Sequence, residues 1–417
     1  MNTILTDARK IINDAIHASL PDEAVKKAIC GKNFAFEGKV IVISIGKAAW
    51  NMAKAAAENI PHTIDCGIVL TKYDHSQGEI PGFVILEAGH PLPDENTISG
   101  TKKIIEAVSN LNEKDTVFFL VSGGGSALFE SPAGDLTLAN FLDITDQLLK
   151  CGADIVEMNT IRKHLSAVKG GRFAELCSPA QVYCIALSDI LGDRPDSIAS
   201  GPACADASTS EDAFAVVEKY NLSLTEEMKT QLAKETPKSL SNVTMEITGS
   251  VTQLCEDAAK TAESLGYTPM ILTNMLDCEA KEAGKFLASI AKTVQKDGLP
   301  VKVPCAIICG GETIVRITGK GKGGRNQELA LSAAENISGM EGVVVAAAGS
   351  DGTDGPTDAA GGIVDGNTKN LLEQKGISIP AILAENNSNY ALSMADALIM
   401  TGPTGTNVND LYLLLCK

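Results

Sequence analysis

Three glycine-rich loops carry most of the side chains that could do chemistry in this 417-residue sequence. The loops span residues 122–126, 319–325 and 349–355, and each follows a run of apolar residues. In α/β proteins, backbone N–H groups and the positive end of a helix converge on an anion where a buried strand ends in glycine. The loops therefore predict an enzyme that handles a nucleotide or a phosphate group.

The first loop consists of Ser122, Gly123, Gly124, Gly125 and Ser126. No GxxxxGK[ST] pattern occurs in the sequence, which excludes an ordinary P-loop kinase. What remains is a set of N–H donors with two hydroxyls, which suits the phosphates of ATP. A tight turn that lets the next helix pack closely is the alternative, but three successive glycines exceed what a turn requires.

Lys47 follows an apolar run at 40–45 and a glycine, at the start of an alanine-rich segment that is predicted to be helical. This position is the carboxyl end of a predicted parallel strand, the edge where α/β sheets place their sites. A flexible ammonium there suits a transferring phosphoryl group, although many lysines at helix starts are simply solvated. We therefore treat Lys47 as a candidate catalytic residue.

Two carboxylates, Asp189 and Asp193, follow a predicted strand at 182–187 and share a loop with Gly192 and Pro195. Paired carboxylates in such a loop can hold Mg²⁺ or accept a proton from a hydroxyl. They can equally cap the next turn. The sequence predicts both as metal ligands and Asp193 as a candidate catalytic carboxylate.

Four lysines and arginines fall within the eleven residues from Arg162 to Arg172. Asn159 is predicted to cap a short helix there, and the glycines at 170–171 to end it. In an acidic protein this segment is a natural surface for ATP or a carboxylate, so Arg162, Lys169 and Arg172 are predicted to bind substrate. A solvated helix face is the alternative.

The loop at 319–325 lies between a predicted strand at 313–318 and a predicted helix at 326–334. It formally contains GxGxxG, but that match alone is weak, and the acid that a dinucleotide site needs about 20 residues further on is missing. Its positive charge favours a phosphoryl clamp instead. Lys322 is then predicted to contact the nucleotide and Arg325 to act in catalysis.

The third loop places Asp351, Asp354 and Asp358 within eight residues. It resembles an oxygen-rich site for a divalent metal without matching the order of an EF-hand. A turn-rich surface loop is the alternative. Asp351 is kept as a candidate catalytic carboxylate.

The composition limits the partners. A net charge of −17 argues against nucleic acids and anionic membranes, which would be repelled. The eleven cysteines are scattered, with no signal peptide ahead of them, which suits a reducing cytoplasm. No apolar stretch reaches the roughly 20 residues of a membrane span. We expect a soluble, cytoplasmic protein that acts on a small molecule.

The spacing of apolar runs predicts an α/β fold with two domains. Strand-like and helical segments alternate through the first half, which is typical of βαβ units and a mostly parallel, doubly wound sheet. The chain is long enough for two cores of about 200 residues each. The composition turns polar between residues 220 and 250, so we predict domains at 1–235 and 236–417, the second also α/β.

Together these motifs closely resemble the class II glycerate 2-kinases. The resemblance runs from about residue 4 to residue 409 and rests on segments 44–49, 121–128, 159–172, 188–189, 200–202, 310–313, 324–328 and 349–354. It implies an N-terminal Rossmann-like glycerate kinase domain, a C-terminal MOFRL domain and an active site in the cleft between them.

The resemblance also implies transfer of the γ-phosphate of ATP to the 2-hydroxyl of D-glycerate with Mg²⁺, giving 2-phosphoglycerate and ADP. Lys47 and Arg325 would act at the transferring group, and Asp193 or Asp351 would orient the hydroxyl. Assembly as a homodimer is left open. The alternative is an NAD(P)H-dependent reductase of hydroxypyruvate or tartronate semialdehyde, which rests on the weak GxGxxG. A non-catalytic sensor of a small organic acid is the third hypothesis.

Overall fold

The structure, a computed structural model, describes residues 3–417. In chain order to residue 249, its elements are α1 (Thr3–Ala18), α2 (Pro21–Ile29), β1 (Val40–Ile45), α3 (Ala49–Asn59), β2 (Cys66–Lys72), β3 (Phe83–Ala88), α4 (Glu95–Val108), β4 (Thr116–Val121), α5 (Gly125–Leu128), α6 (Leu138–Cys151), α7 (Ile155–Leu165), α8 (Arg172–Leu176), β5 (Gln181–Leu187), a 3₁₀ turn (Ile198–Ser200), α9 (Ser210–Tyr220), α10 (Glu226–Leu232) and β6 (Val243–Gly249).

The remaining elements are α11 (Val251–Ser264), β7 (Thr268–Leu276), α12 (Ala280–Asp297), β8 (Cys305–Gly311), α13 (Arg325–Asn336), β9 (Val343–Gly349), β10 (Gly361–Asp365), α14 (Thr368–Gln374), α15 (Ile379–Ala384), α16 (Ser388–Met394), β11 (Leu398–Ile399) and β12 (Asp410–Cys416). No helix within residues 3–417 is long and apolar enough to cross a membrane.

The chain forms two compact units. The first unit contains residues 21–188 and 194–248, and the second contains residues 3–20, 189–193 and 249–417. These units differ from a single division between residues 235 and 236, because α1 packs with α11 in the core of the second unit. The predicted cleft position of the active site stays a prediction.

The sheet of the first unit has the strand order β3-β2-β1-β4-β5-β6. Its pairs from β3 to β5 are all parallel, as predicted for a doubly wound fold. The order reverses direction between β1 and β4, and such a switch point is where open α/β sheets bind ligands. Both strands are buried along their whole length, because helices cover a parallel sheet on both faces.

The sheet of the second unit has the order β11-β10-β9-β12-β8-β7 and is mixed. Only β7 and β8 pair in parallel among its assigned pairs, while β12 runs antiparallel to both β8 and β9. Alternate residues of β12 enter two cores on opposite faces of the sheet: Leu411, Leu413 and Leu415 pack with α1 and α11, and Tyr412 and Leu414 pack with α12 and α13.

Two local predictions were wrong. Residues 313–318 do not form a strand; Ile314 makes only an isolated bridge to Glu279, and the segment otherwise follows an irregular path. The helix predicted between Asn159 and the glycines at 170–171 has other bounds: α7 ends at Leu165, and Asn159 lies inside it rather than capping it. That helix begins four residues earlier at a capping box, in which Asp154 accepts a hydrogen bond from the N–H of Glu157.

Candidate functional site

Lys47 and the first glycine-rich loop lie together at the carboxyl edge of the parallel sheet. They follow β1 and β4, which are adjacent strands at the switch point. The N–H of Lys47 donates to the carbonyl of Gly123 at 2.9 Å, and the N–H of Ala48 donates to Ser122 Oγ at 3.1 Å. Two motifs that are 75 residues apart in the sequence thus form one loop pair, as expected for neighbouring strand ends.

The middle glycine of the loop lies under two basic side chains. Gly124 has φ +82°, and a Cβ there would lie 3.0 Å from His90 Cδ2 and 3.2 Å from Lys47 Cε. The absence of a side chain therefore keeps open the space beside the Lys47 ammonium stem. Burial lowers the pKa of His90, and the positive charge of Lys47 adds to that effect, so His90 favours its neutral form.

The two serines of the loop have different surroundings. Ser122 is 2% exposed, and its hydroxyl already donates to the carbonyl of Ile45 at 3.1 Å besides accepting from Ala48. That hydroxyl therefore holds the two loops together. Ser126 Oγ lies 3.0 Å from Ser200 Oγ, which in turn contacts Asn159 Oδ1 at 3.0 Å. The sequence analysis did not predict this chain of hydrogen bonds from Ser126 through Ser200 to Asn159.

Arg162 reaches the same loop from α7. Its Nη2 donates to the carbonyl of Ser126 at 3.4 Å, and its guanidinium lies over the ring of Phe141 at 5.6 Å. The Nε atom is buried and has no hydrogen-bond partner among the described residues. Burial lowers the pKa of Arg162. A buried donor without a partner is rare, and an anion bound at the adjacent glycine loop would satisfy it.

Two of the three cations predicted to bind substrate already form ion pairs or hydrogen bonds with other groups of the protein. Lys169 is completely buried, forms an ion pair with the equally buried Glu130 and donates to the carbonyl of Phe129 at 3.0 Å. Burial lowers its pKa to about 8. Arg172 donates to the carbonyls of Lys163 and His164 at 3.0 and 3.1 Å, which caps the end of α7. This geometry favours structural functions for both residues.

Arg325 is the central cation of the second unit. Its Nε donates to Asp410 Oδ2 at 2.6 Å and its Nη2 to Asp410 Oδ1 at 3.2 Å, while Nη1 donates to Glu312 Oε1 at 2.7 Å. A guanidinium has five N–H groups, so two of them have no partner in these three contacts. Arg325 is thereby fixed in direction while keeping donors for a ligand.

Asp410, the buried partner of Arg325, was not predicted. Its side chain is 1% exposed and also accepts from the hydroxyl of Tyr412 at 3.1 Å, which lies 3.2 Å from Thr313 Oγ1. Burial raises the pKa of Asp410 to about 6, although Arg325 acts in the opposite direction. The only feature of the sequence that could have identified Asp410 is the position of its carboxylate directly before the apolar run 411–416.

A cavity of about 760 Å³ lies beside Arg325, within the second unit. Asp351 lines it, and its Oδ1 accepts a hydrogen bond from the N–H of Thr353 at 3.0 Å. Arg325 and Asp351, two predicted catalytic residues, therefore share one cavity. The other lining residues are Leu191, Glu312, Thr313, Ile314, Val315, Ile317, Gly321, Gly323, Gly324, Glu328, Thr353, Asp354, Gly355, Pro356, Asn386 and Ser388.

The loop at 319–325 is packed, and its backbone donors are partly used. The N–H groups of Gly319 and Lys322 donate to the side-chain oxygens of Asn386 and Asn387, at 2.9 and 3.1 Å. A Cβ on Gly319 or Gly321 would collide with residues 385–387. These glycines therefore allow close packing of two loops, while the Lys322 side chain stays exposed.

Asp354 occupies the amino end of α13. Its two carboxylate oxygens accept from the N–H groups of Asn326 and Gln327, at 3.2 and 2.9 Å. Burial raises the pKa of Asp354. The hypothesis of a metal loop at 351–358 is not supported, because Asp354 is a helix cap and Asp358 is exposed. Within residues 3–417, no group of three or more His, Cys, Asp or Glu side chains is arranged to hold a metal.

The two predicted metal ligands lie in the short segment 189–193 of the second unit. Asp193 Oδ2 accepts from Thr252 Oγ1 at 2.8 Å, while Oδ1 is buried without a hydrogen-bond partner among the described residues. The carbonyl of Asp189 accepts from Asn409 Nδ2 at 3.1 Å. An unpaired buried carboxylate oxygen calls for a cation, so Asp193 fits the predicted metal.

Comparison with known proteins matches two family models to the chain. The domain of unknown function DUF4147 matches residues 7–233, and the MOFRL family matches residues 305–410. A Thermotoga maritima protein named D-glycerate 2-kinase is 53% identical over 97% of both chains. A Pyrococcus horikoshii protein named glycerate 2-kinase is 42% identical over 97% of this chain and 96% of that protein.

Structure comparison gives a crystal structure of a Thermotoga maritima glycerate kinase, which superposes with a TM-score of 0.96 at 52% identity and covers both chains completely. Some relatives carry a different name: for example, an Agrobacterium vitis protein, provisionally named hydroxypyruvate reductase, is 40% identical over 98% of this chain and 93% of that protein.

Proposed function

Because the chain belongs to the class II glycerate kinase family and is a phosphotransferase, we propose that it transfers the γ-phosphate of ATP to the 2-hydroxyl of D-glycerate. The products are 2-phosphoglycerate and ADP. The observation that carries this proposal is the similarity, over nearly the whole length, to a protein named D-glycerate 2-kinase. The positions of Lys47 and Arg325 support it, since phosphoryl transfer depends on positioned positive charge.

The glycine loop of the first unit is assigned to the phosphates of ATP. The N–H of Gly125 already donates to the carbonyl of Ser122, so the other N–H groups of residues 123–126 are assigned to the phosphates. Lys47 and Arg162 lie against the same loop. The space above Gly124 and the unsatisfied Nε of Arg162 support the assignment. Lys47 then neutralises charge that develops on the γ-phosphoryl oxygens during transfer.

Mg²⁺ is assigned to Asp193, whose buried Oδ1 lacks another partner among residues 3–417, with Asp189 as the second predicted ligand. Two carboxylates plus phosphate oxygens and water form the kind of shell that Mg²⁺ prefers. When bound, the ion would supply positive charge close to the phosphate oxygens.

Arg325 and one carboxylate are assigned to the reaction itself. A bond forms between the 2-hydroxyl oxygen and the γ-phosphorus, while the bond from that phosphorus to the bridging oxygen of ADP breaks. Arg325 binds the transferring group through its two remaining N–H groups. Asp351, which lines the same cavity, orients the hydroxyl and accepts its proton; Asp193 is the alternative if it does not bind the ion.

A ³¹P NMR time course with ATP, Mg²⁺ and D-glycerate tests the proposal. We expect a phosphate ester on carbon 2 that grows as the γ-phosphate signal of ATP declines. An ester on carbon 3 would overturn the assigned hydroxyl but retain a kinase. No ester at all would overturn the proposed activity.

The name of the Agrobacterium vitis relative favours a second candidate, an NAD(P)H-dependent hydroxypyruvate reductase. The loop geometry argues against it. Gly319 and Gly321 pack against residues 385–387, and Asp354 takes the N–H groups at the start of α13 where a pyrophosphate would bind. Oxidation of NADH or NADPH with hydroxypyruvate, measured on the same preparation, would restore this candidate.

A further inference from the structure

A smaller cavity, of about 310 Å³, lies within the second unit, and none of the assignments above uses it. Lys281 and Lys285, four residues apart on α12, line one side of it. Four residues of α13 line it at helical spacing: Glu328, Ser332, Glu335 and Asn336. Its volume is near the lower end of the roughly 300–1,000 Å³ of ligand pockets, which suits a ligand much smaller than a nucleotide.

The packing of α12 against α13 fixes the positions of these charged side chains. A Cβ on Gly284 of α12 would collide with the carbonyl oxygen of Leu329, so the glycine allows the two helices to approach closely. Ser332 Oγ also donates to the carbonyl of Lys281 at 2.6 Å. The cavity is therefore formed by two rigid elements in direct contact.

The cavity contains a free cationic group. The guanidinium of Arg316, a lining residue, is exposed and makes no hydrogen bond or ion pair with any of residues 3–417. Lys285 pairs with Glu282 at 2.8 Å, but both side chains are half exposed, and a ligand can replace such a surface pair at little cost. A planar guanidinium binds a carboxylate through two parallel hydrogen bonds.

The cavity also contains carboxylate oxygens that lack a donor. Glu335 Oε1 accepts from Lys369 at 2.7 Å, whereas Oε2 is buried without a hydrogen-bond partner among the described residues. Glu328, two turns earlier on the same helix, is 3% exposed. Burial raises the pKa of Glu328, and the positive charge of Lys281 acts in the opposite direction. A buried acceptor without a partner is rare, and a ligand with N–H groups would satisfy it.

We propose that this cavity binds a small α-amino acid in its zwitterionic form. The carboxylate of the ligand binds Arg316, and its ammonium group donates to Glu335 and Glu328. The apolar lining residues within 380–384 contact a short aliphatic side chain. A simple anion would leave the oxygen of Glu335 unsatisfied and would be repelled by both carboxylates, whereas a simple amine would leave Arg316 unpaired. A ligand with both charges satisfies both groups.

The amino-acid site shares a wall with the cavity beside Arg325. Glu328 and Asn386 line both cavities, and Asn386 Nδ2 donates to Glu328 Oε2 at 3.2 Å. An ammonium group beside Glu328 would stabilise the ionised carboxylate, and so would change the charge that lines the cavity beside Arg325. We therefore expect the amino acid to alter the activity. This effect rests on the proposed function, whereas the binding itself does not.

Isothermal titration calorimetry of the full chain tests the binding. The probes are glycine, L-alanine and L-valine, with acetate and methylammonium as ligands that carry only one of the two charges. We expect saturable binding of at least one amino acid, and at least about tenfold weaker binding of acetate and of methylammonium, because each loses one set of charge-assisted hydrogen bonds.

Two substitutions locate the site. Arg316→Gln and Glu335→Gln should each weaken binding of the amino acid at least about tenfold. Both side chains are at least partly exposed, so both variants should fold. The controls are Lys292→Gln, at an exposed position of α12 outside the lining, and Glu373→Gln, which removes the other carboxylate near Lys369. Neither control should change the affinity.

Three results would overturn the inference: no binding of any of the three amino acids, binding of acetate as tight as that of the amino acids, or equal affinity in the test and control variants. In the kinase assay, the amino acid that binds should change kcat or the KM for D-glycerate in the wild-type chain and not in Arg316→Gln. Unchanged kinetics with intact binding would reject the effect on activity.

Failure of this inference is distinguishable from failure of the proposed function. Amino-acid binding that depends on Arg316, in a chain that forms no phosphate ester, would retain the site and reject the glycerate kinase. Ester formation without amino-acid binding would do the reverse.

Discussion

Arg325 and Asp410 form a two-point ion pair, with Nε 2.6 Å from Oδ2 and Nη2 3.2 Å from Oδ1. The carboxylate is buried and begins β12, whereas the guanidinium reaches the cavity. The pair fixes the plane of the guanidinium, and so determines which N–H groups remain for a phosphoryl group. Asp410 is thereby a positioning residue for Arg325.

The substitution Asp410→Asn should lower kcat by about 100-fold, because a misdirected group in an otherwise intact site costs about that much. Glu312→Gln removes the more exposed partner of the same guanidinium, where water can replace it, and should cost much less. Steady-state kinetics of both variants checks this expectation. Equal losses in the two would contradict the positioning function of Asp410.

The raised pKa of Asp410 predicts a pH dependence. Below about pH 6 the carboxylate gains a proton and its ionic hold on Arg325 weakens, so kcat should fall on the acid side. The contribution of this group to the free energy of unfolding should instead increase as the pH falls. The folded-state pKa lies above the ordinary 3.8, so this group favours the folded state most below about pH 4 and progressively less up to about pH 6. Asp410→Asn should remove both trends, as measured by kinetics and urea unfolding.

Lys47→Ala should lower kcat by about 10² to 10³, as expected for loss of a charge that acts on the transition state. ATP binding should weaken far less, because the backbone donors at 123–126 remain. Lys103→Ala, which removes an exposed lysine of α4, is the control and should leave both constants unchanged. Parallel losses in kcat and in ATP affinity would contradict this expectation. They would show that Lys47 also stabilises bound ATP and does not act on the transition state alone.

Lys169→Met should destabilise the protein by about 3–5 kcal/mol, because it leaves the Glu130 carboxylate buried without a partner. Replacing both residues, with Glu130→Leu, should recover most of that loss. Lys150→Met, at an exposed ion pair, should cost at most about 1 kcal/mol. Urea unfolding measures all three. A stable Lys169→Met protein with lost D-glycerate affinity would instead support the predicted substrate contact.

Asp193→Asn should raise the Mg²⁺ concentration for half-maximal activity by about tenfold or more, since it removes the charge of the unpaired oxygen. The amide can still accept from Thr252, so the loop should keep its path. Asp358→Asn changes an exposed carboxylate and is the control. An unchanged Mg²⁺ requirement in Asp193→Asn would reject this residue as a ligand.

The sequence was sufficient to predict the parallel sheet, because apolar strands alternate with helical segments, and the apolar runs of β1 and β4 lead into glycine-containing loops. It was also sufficient to place Lys47 and the loop at 122–126 at the carboxyl ends of strands, the edge where α/β sheets place their sites. Both features follow from local patterns plus one rule of sheet topology.

The failures have a physical reason. The run at 313–318 alternates like a strand, but its isoleucines face a cavity rather than a sheet. The glycines at 319, 321 and 323 closely approach residues 385–388, which lie more than 60 positions away, and Gly324 closely approaches Asp354. The pairing of Arg325 with Asp410 spans 85 positions. Such long-range contacts leave no local pattern.

The central position of β12 in the second sheet affects how this chain is made. Residues 410–416 are translated after β8 and β9, and they fill the gap between these two strands. Until they emerge, those two strands expose unpaired edges, and α1, which precedes them in the sequence, has only part of its core to pack on. The first unit can fold during synthesis, whereas the second must wait, so a nascent chain stalled before residue 410 would be a natural target for chaperones.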